Sequence, residues 1–196
     1  MAEKKFNPAK LDKLNNPKRL ADLPPGYIWK KLNIENPKIL VDIGAGTGFF
    51  SIPFLEYTKN GRIFACDTSD IMIQWMKDHV TPGHPGIIPV KMEETTLPLK
   101  NNCADLVFMI HLHHELEAPG KILDESFRIL KDKGTIFIAD WKKEKTPEGP
   151  PLELRYHPET VKSQMENAGF ENLQIFDERP RHFLVTGEKN HLINIS

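Results

Sequence analysis

The stretch Ile39-Leu-Val-Asp-Ile-Gly-Ala-Gly-Thr-Gly-Phe-Phe50 constrains this chain more than any other. Ile39 to Ile43 is an apolar run broken only by Asp42, the pattern of a parallel strand buried on both faces. Gly44, Gly46 and Gly48 follow at alternate positions. Large apolar residues then return at Phe49, Phe50, Ile52, Phe54 and Leu55, as a helix packed on a sheet requires. Strand, glycine turn and helix bring backbone close to a nucleotide-like ligand at the carboxyl edge of a sheet.

The rest of the chain repeats the strand–helix alternation, which predicts an α/β fold with a doubly wound sheet. Strands are expected at 39–43, 62–67, 86–91, 105–110 and 135–139. Helices are expected from about Thr47 to Tyr57, from an N-cap at Ser69 to about Val80, from Pro119 to Lys133-Gly134, and from Pro158 to Gly169. Pro53 is tolerable only within the first turn of its helix. Two strands, about 171–177 and 182–186, close the chain. Their short link around Pro180 favours an antiparallel pair.

Residues 1–37 stand apart as an N-terminal helical cap or lid, with short helical turns and a helix from about Pro24 that carries Tyr27, Ile28 and Leu32 toward the sheet. Residues 38–196 form the main domain.

Composition narrows the function classes. Hydrophobic residues at 39% and a formal net charge of −1 are ordinary globular values, and lack the basic surplus of nucleic-acid or membrane-surface binders. The first residues lack a signal-peptide core, and no apolar run approaches the ~20 residues of a membrane-spanning helix, so a cytoplasmic location is expected. The two cysteines, Cys66 and Cys103, make neither a disulfide framework nor a zinc pattern, and no metal site is expected.

The glycine turn is not the dinucleotide fingerprint, which needs glycines at relative positions one, three and six; the sixth position here is Phe49. Two acids accompany it in register. Asp67, at the end of strand two, can accept both hydroxyls of a ribose laid across the turn. Glu93 or Glu94, after strand three, can accept the exocyclic amine of an adenine.

Together, Asp42-x-Gly-x-Gly-x-Gly48, Asp67, Glu93 before Leu97-Pro98, Asp105-Leu-Val-Phe and Gly134 before a strand resemble the class I S-adenosylmethionine-dependent methyltransferases. The small-molecule branch typified by the ubiquinone/menaquinone-biosynthesis enzymes is the nearest in pattern, over about residues 38–188. The resemblance implies a Rossmann-like seven-stranded sheet of order 3-2-1-4-5-7-6 with strand seven antiparallel. It also implies S-adenosylmethionine as cofactor and S-adenosylhomocysteine as product. It assigns the backbone of Gly44, Ala45 and Gly46 to the methionine part of the cofactor, and Asp42 to the turn or the amino group. Asp67 goes to the ribose, Thr68 with Ile71 or Met72 to the faces of the adenine, and Glu93 with Glu94 to its edge. A carbonyl from Ile110 or His111 is assigned to the ammonium.

Methyl transfer from a sulfonium asks for alignment, exclusion of water and, for a weakly acidic acceptor, a base. The expected acceptor is a small molecule above the ends of strands four and five. Two clusters lie there: His111-Leu-His113-His114-Glu115, which offers candidate bases, and Asp140-Trp141, which offers a carboxylate partner and an aromatic wall. The Asn/Asp-Pro-Pro-Tyr/Phe run of DNA amino-methylation is absent after strand four, and two cysteines do not suit arsenic methylation. A catalytically idle cofactor-binding module and a nucleotide-dependent oxidoreductase are the competing readings.

Overall fold

The computed structural model describes residues 11–190, so the part of the N-terminal cap before Leu11 lies outside the described residues. Three short helices lead in: α1 (Leu11–Leu14), α2 (Lys18–Asp22) and α3 (Pro25–Leu32). There follow β1 (Ile39–Ile43), α4 (Ser51–Leu55), β2 (Arg62–Asp67), α5 (Asp70–His79), β3 (Ile87–Lys91) and β4 (Ala104–Ile110). Then come α6 (Pro119–Ile129), β5 (Leu130–Trp141), α7 (Pro158–Asn167), β6 (Glu171–Phe176) and β7 (His182–Glu188).

The seven strands form one sheet of order β3-β2-β1-β4-β5-β7-β6. Strands β1 to β5 pair in parallel, and β7 lies antiparallel to both β5 and β6. This is the order and sense that the glycine pattern's resemblance implied. The chain runs outward from β1 to β3 and then returns to β4 on the other side of β1. A crevice therefore opens at the carboxyl ends of β1 and β4, where such sheets bind ligands. Asp105 fixes this central pairing: one carboxylate oxygen accepts the N–H groups of Lys38 and Ile39 at 2.8 and 2.9 Å.

Residues of β4 alternate between two cores, as a strand's period of two dictates. Val107 and Met109 pack with α6 and α7 through Leu123, Ile129, Val161 and Met165. Leu106, Phe108 and Ile110 pack on the other face with Leu23, Ile28, Phe50 and Phe54. The Phe108 and Phe137 rings stack at 5.1 Å, with Phe54 against both at 5.0 and 5.6 Å. Helix α3 thus supplies core rather than only a cover: Ile28 and Leu32 are buried, and Trp29 stacks on Tyr57 at 4.6 Å.

Ser69 caps α5 as expected, accepting the Met72 N–H, and Met72, Met76 and Val80 are buried along one face. Pro53 falls in the first turn of α4. That helix is shorter than expected, because Gly44, Gly46 and Gly48 all hold positive φ and regular helix begins only at Ser51.

The larger difference is at α6. Lys133-Gly134 reads as its stop, but the helix ends at Ile129 and β5 starts at Leu130. The cause is distant in sequence: the Lys189 ammonium donates to the carbonyls of Phe127 and Leu130 and to Asn102, each at 2.8 Å, satisfying the helix end early. Lys133, at φ +63, then forms an irregularity within the strand.

Candidate active site

A cavity of about 870 Å³ occupies the crevice. Of the residues singled out by the sequence, Asp42, Gly44, Ala45, Gly46, Asp67, Thr68, Met72, Glu94, Ile110, His111, His114 and Trp141 line it. Asp140 lies directly behind His114, bonded to it. Four others fall outside the lining, among them the exposed Ile71. Gly48 packs beneath the turn, where an added Cβ would come 3.3 Å from the Met76 sulfur. Glu93 is exposed and closes a small turn by donating its N–H to the Thr96 carbonyl. His113 is fully buried, with Nε2 2.7 Å from Gln164 Oε1.

The glycine turn is wired to β2. The N–H groups of Gly44 and Ala45 both donate to the Cys66 carbonyl, at 2.8 and 3.0 Å. The Gly46 N–H donates to Asp67 Oδ2, while the other Asp67 oxygen accepts the Ser69 N–H, both at 2.8 Å. Three successive donors are thereby used internally, so the turn offers close approach rather than free N–H groups. Each Asp67 oxygen keeps acceptor capacity for a further donor. The space a side chain at Gly44 would need is filled by Leu112, whose methyls would lie 2.6–2.7 Å from an added Cβ.

Asp42 is buried and accepts the Ser51 hydroxyl at 2.6 Å. Burial pushes its pKa up to about 7; the Ser51 bond and Arg19 oppose this, and Asp67 adds to it. Burial likewise raises Asp67 above the usual carboxylate range, despite its backbone donors.

On the other side of the crevice, β4 and β5 pair with Ile110 opposite Ala139, so the residues that leave the two strands emerge together. Asp140 accepts the His114 backbone N–H through Oδ2 at 3.0 Å, and its Oδ1 lies 2.8 Å from His114 Nδ1. Burial alone would lower the His114 pKa, but the Asp140 charge and hydrogen bond outweigh it and raise the value. Asp140 shows the converse: burial would raise it, and His114 holds it below the usual range. Asp140 also accepts the Trp141 N–H.

His111 sits in left-handed backbone at φ +57, and burial holds its pKa well below the ordinary histidine value. Trp141 is less open than an aromatic wall would be. Arg155 lies 5.4 Å from its ring, and His182 and His111 pack at 4.3 and 5.4 Å.

The roof comes from the N-terminal segment and from the loop that follows β5. Leu14 sits above Gly46, and Asn15 accepts the Thr47 hydroxyl at 2.8 Å. Arg155 gathers the 142–150 loop by donating to the carbonyls of Lys142, Glu144, Glu148 and Pro150. Arg181 then pairs with both Asp22 and Glu148, tying α2 and this loop to the β6–β7 connection.

The methyltransferase-domain family profile matches residues 41–138, half of the chain. The chain belongs to the S-adenosylmethionine-dependent methyltransferases. A solved S-adenosylmethionine-dependent methyltransferase from Aquifex aeolicus shares 30% identity and superposes with a TM-score of 0.88, over 94% of this chain and all of that one. The ubiquinone/menaquinone biosynthesis C-methyltransferase UbiE of Klebsiella pneumoniae is 22% identical over 191 residues, covering 76% of this chain and 75% of its own. A tRNA(Phe) (4-demethylwyosine(37)-C(7)) aminocarboxypropyltransferase of Methanocaldococcus jannaschii is 28% identical over 144 residues. That match spans 67% of this chain but only 56% of the archaeal protein. Among the described residues of this methyltransferase-family chain, no helix is long and apolar enough to cross a membrane, and no cluster of three or more His, Cys, Asp or Glu could hold a metal ion.

Proposed function

We propose that the protein transfers the methyl group of S-adenosylmethionine to a small nucleophilic acceptor above the ends of β4 and β5. His114, backed by Asp140, receives the acceptor's proton. The observation that carries the reading is a single cavity joining the glycine turn and Asp67 to the His114–Asp140 pair.

Asp67 holds the ribose hydroxyls while anchoring the turn. Thr68 and Met72 flank the adenine, and Glu94, at the wall, takes its edge in preference to Glu93. Asp42 and a carbonyl of Ile110 or His111 accept from the cofactor's ammonium. Bound there, S-adenosylmethionine supplies a methyl carbon activated by a positively charged sulfur that leaves as the neutral thioether of S-adenosylhomocysteine.

Asp140 is held ionised and can only accept, so in the neutral imidazole Nδ1 of His114 carries the hydrogen and Nε2 presents its lone pair. That is the tautomer a general base needs. His113 serves to hold the turn against Gln164. A volume of about 870 Å³ lies within the range of small-molecule sites, roughly 300–1,000 Å³.

Calorimetry tests the donor: micromolar binding of S-adenosylmethionine and its product, with no heat from NAD, is expected, and NAD binding alone would refute the reading. The archaeal relative motivates one competitor, transfer of an aminocarboxypropyl group to tRNA. The nucleoside left after turnover separates the two, because that transfer leaves 5′-methylthioadenosine and methyl transfer leaves S-adenosylhomocysteine. Steeply salt-sensitive binding to bulk tRNA would likewise favour a nucleic-acid acceptor. Tight binding without turnover of any acceptor would favour an idle cofactor-binding module.

A further inference from the structure

The base of the proposed reaction stands between two carboxylates. Oδ1 of Asp140 lies 2.8 Å from Nδ1 of His114, and Oε1 of Glu115 lies 3.7 Å from Nε2. Asp140 is buried behind the ring, whereas Glu115 is half-buried and lines the cavity beside it. His114 is itself only 7% exposed, yet among the described residues its Nε2 takes part in no hydrogen bond. At 3.7 Å the Glu115 contact is too long to be one. The two acceptors are nevertheless close enough for one nitrogen carrying several hydrogens to donate to both. A hydroxyl, with one hydrogen, serves only one of them.

Charge separates the nucleophiles further. A deprotonated oxygen or carbon loses negative charge as it takes a methyl group, whereas a neutral amine becomes a cation. Carboxylates beside the reacting atom raise the cost of forming the first nucleophile and stabilise the cation formed from the second. Glu117, two residues on, adds a third acid to the lining. The cations of the wall do not offset these acids. Lys18 pairs with Glu148, Lys13 is exposed, and Arg19 has its terminal nitrogens at the Leu14 carbonyl and His111. Arg155, which opposes Glu115 at His114, uses its donors on the carbonyls of the 142–150 loop. Leu116, Pro151 and Leu154 also line the cavity, which gives the group behind the nitrogen an apolar seat.

We propose that the acceptor is an amine, and that Glu115 and Nε2 of His114 together receive its N–H groups. The inference rests on the methyl-transfer reading and names the class of its acceptor. The amine enters as an ammonium. One proton passes to Nε2, a second hydrogen stays directed at Glu115, and the lone pair so released bonds the methyl carbon while the carbon–sulfur pair stays on sulfur. The nitrogen, now a methylated ammonium, keeps its positive charge beside Glu115, and His114 returns its proton to water.

The test follows thermal melting of the full-length protein saturated with S-adenosylhomocysteine, titrated with benzylamine, benzyl alcohol or benzoate, one ring with three head groups. Benzylamine is expected to stabilise the wild type and the other two are not. Glu115→Gln, which keeps the shape and removes the charge, weakens the benzylamine response about tenfold or more. Glu117→Gln, the same charge loss one step farther away, changes it less than about threefold. If Glu115→Gln does not fold, the ranking of the three probes on the wild type decides alone. No response to benzylamine, an equal response to benzyl alcohol or benzoate, or equal effects of the two variants would overturn the amine assignment and leave the donor site standing. A wild type that does not bind S-adenosylhomocysteine would overturn the methyl-transfer reading and this inference with it.

Discussion

The two halves of the cavity are built by different means. On the β1–β2 side, the turn is fixed mainly by backbone: Gly44 and Ala45 donate to the Cys66 carbonyl and Gly46 to the Asp67 carboxylate, within 21–22 residues of themselves. On the β4–β5 side, side chains do the work across long separations, His114 to Asp140, His113 to Gln164 and Arg19 to His111. A backbone-built half tolerates little change and has one function open to it. A side-chain-built half can alter its acceptor by a few substitutions without disturbing the donor. Folds that share one donor and serve many acceptors need that division.

The division predicts that damage to the acceptor half spares donor binding. The largest effect is expected for Asp140→Asn, which releases the His114 tautomer and removes its charge partner. Turnover should fall about 10²- to 10⁴-fold, while affinity for S-adenosylhomocysteine stays within about threefold. A parallel loss of cofactor affinity would erase the boundary between the halves.

The same pair sets opposed pH demands. The raised His114 pKa contributes stability that is full below the ordinary value of 6.5 and is lost as pH rises through the folded value. The lowered Asp140 pKa contributes stability that is present above 3.8 and lost as pH falls through its folded value. The base works only when His114 is neutral, so kcat/KM should rise with pH above 6.5, where the ion pair's contribution to stability declines. A flat profile from pH 6 to 9 would remove His114 from the reaction.

On the donor side, Asp67→Ala strips two backbone N–H groups of their acceptor and, on the proposed reading, the ribose of its partner. Affinity for S-adenosylhomocysteine should drop by about 3 kcal/mol, roughly 100-fold, as measured by calorimetry. Benign behaviour in that assay would mean the turn is held by Cys66 alone.

Asp42→Asn separates stability from binding within the donor half. The folded pKa of about 7 exceeds the free value of 3.8, so the folded protein binds the extra proton and its stability falls as pH rises between those values. Asparagine keeps an acceptor for Ser51 and removes the ionisation. The variant should therefore melt higher than wild type at pH 8 and equal to it near pH 4, while binding S-adenosylhomocysteine less well. Equal melting at both pH values would show that Asp42 does not ionise unfavourably in the fold.

What could be read from the sequence follows the same line. The turn, Asp67 and the Ser69 cap were legible because strand, glycine spacing and helix start all lie between Ile39 and Asp70. The separate roles of the histidines could not be read, because those of His114 and His113 depend on Asp140 and Gln164, 26 and 51 residues away. The β4–β5 register, once known, brings Asp140 beside the turn that carries His114. Arg19 and Leu14 gave no signal, lying among prolines and charges without helical period, and Lys189 ends α6 from 62 residues away. Trp141 was legible as an aromatic at the end of strand five and does line the cavity, but its faces are largely taken by Arg155 and His182, whose positions no local pattern reveals.

The smallest effect tests how tightly the roof is bound to either half. Glu148 is exposed and joins Lys18 of α2 to Arg181, while its carbonyl helps Arg155 hold the loop over Trp141. Exposed pairs of this kind are screened by solvent and salt. Glu148→Gln should therefore leave turnover and cofactor affinity nearly unchanged, and raise the acceptor KM by less than about fivefold. That difference should vanish in 0.5 M salt, roughly where screening shortens the reach of exposed charges to a few ångströms. If the variant instead weakened S-adenosylhomocysteine binding, the roof would belong to the donor half. Closure over the glycine turn would then depend on side chains as much as the acceptor half does.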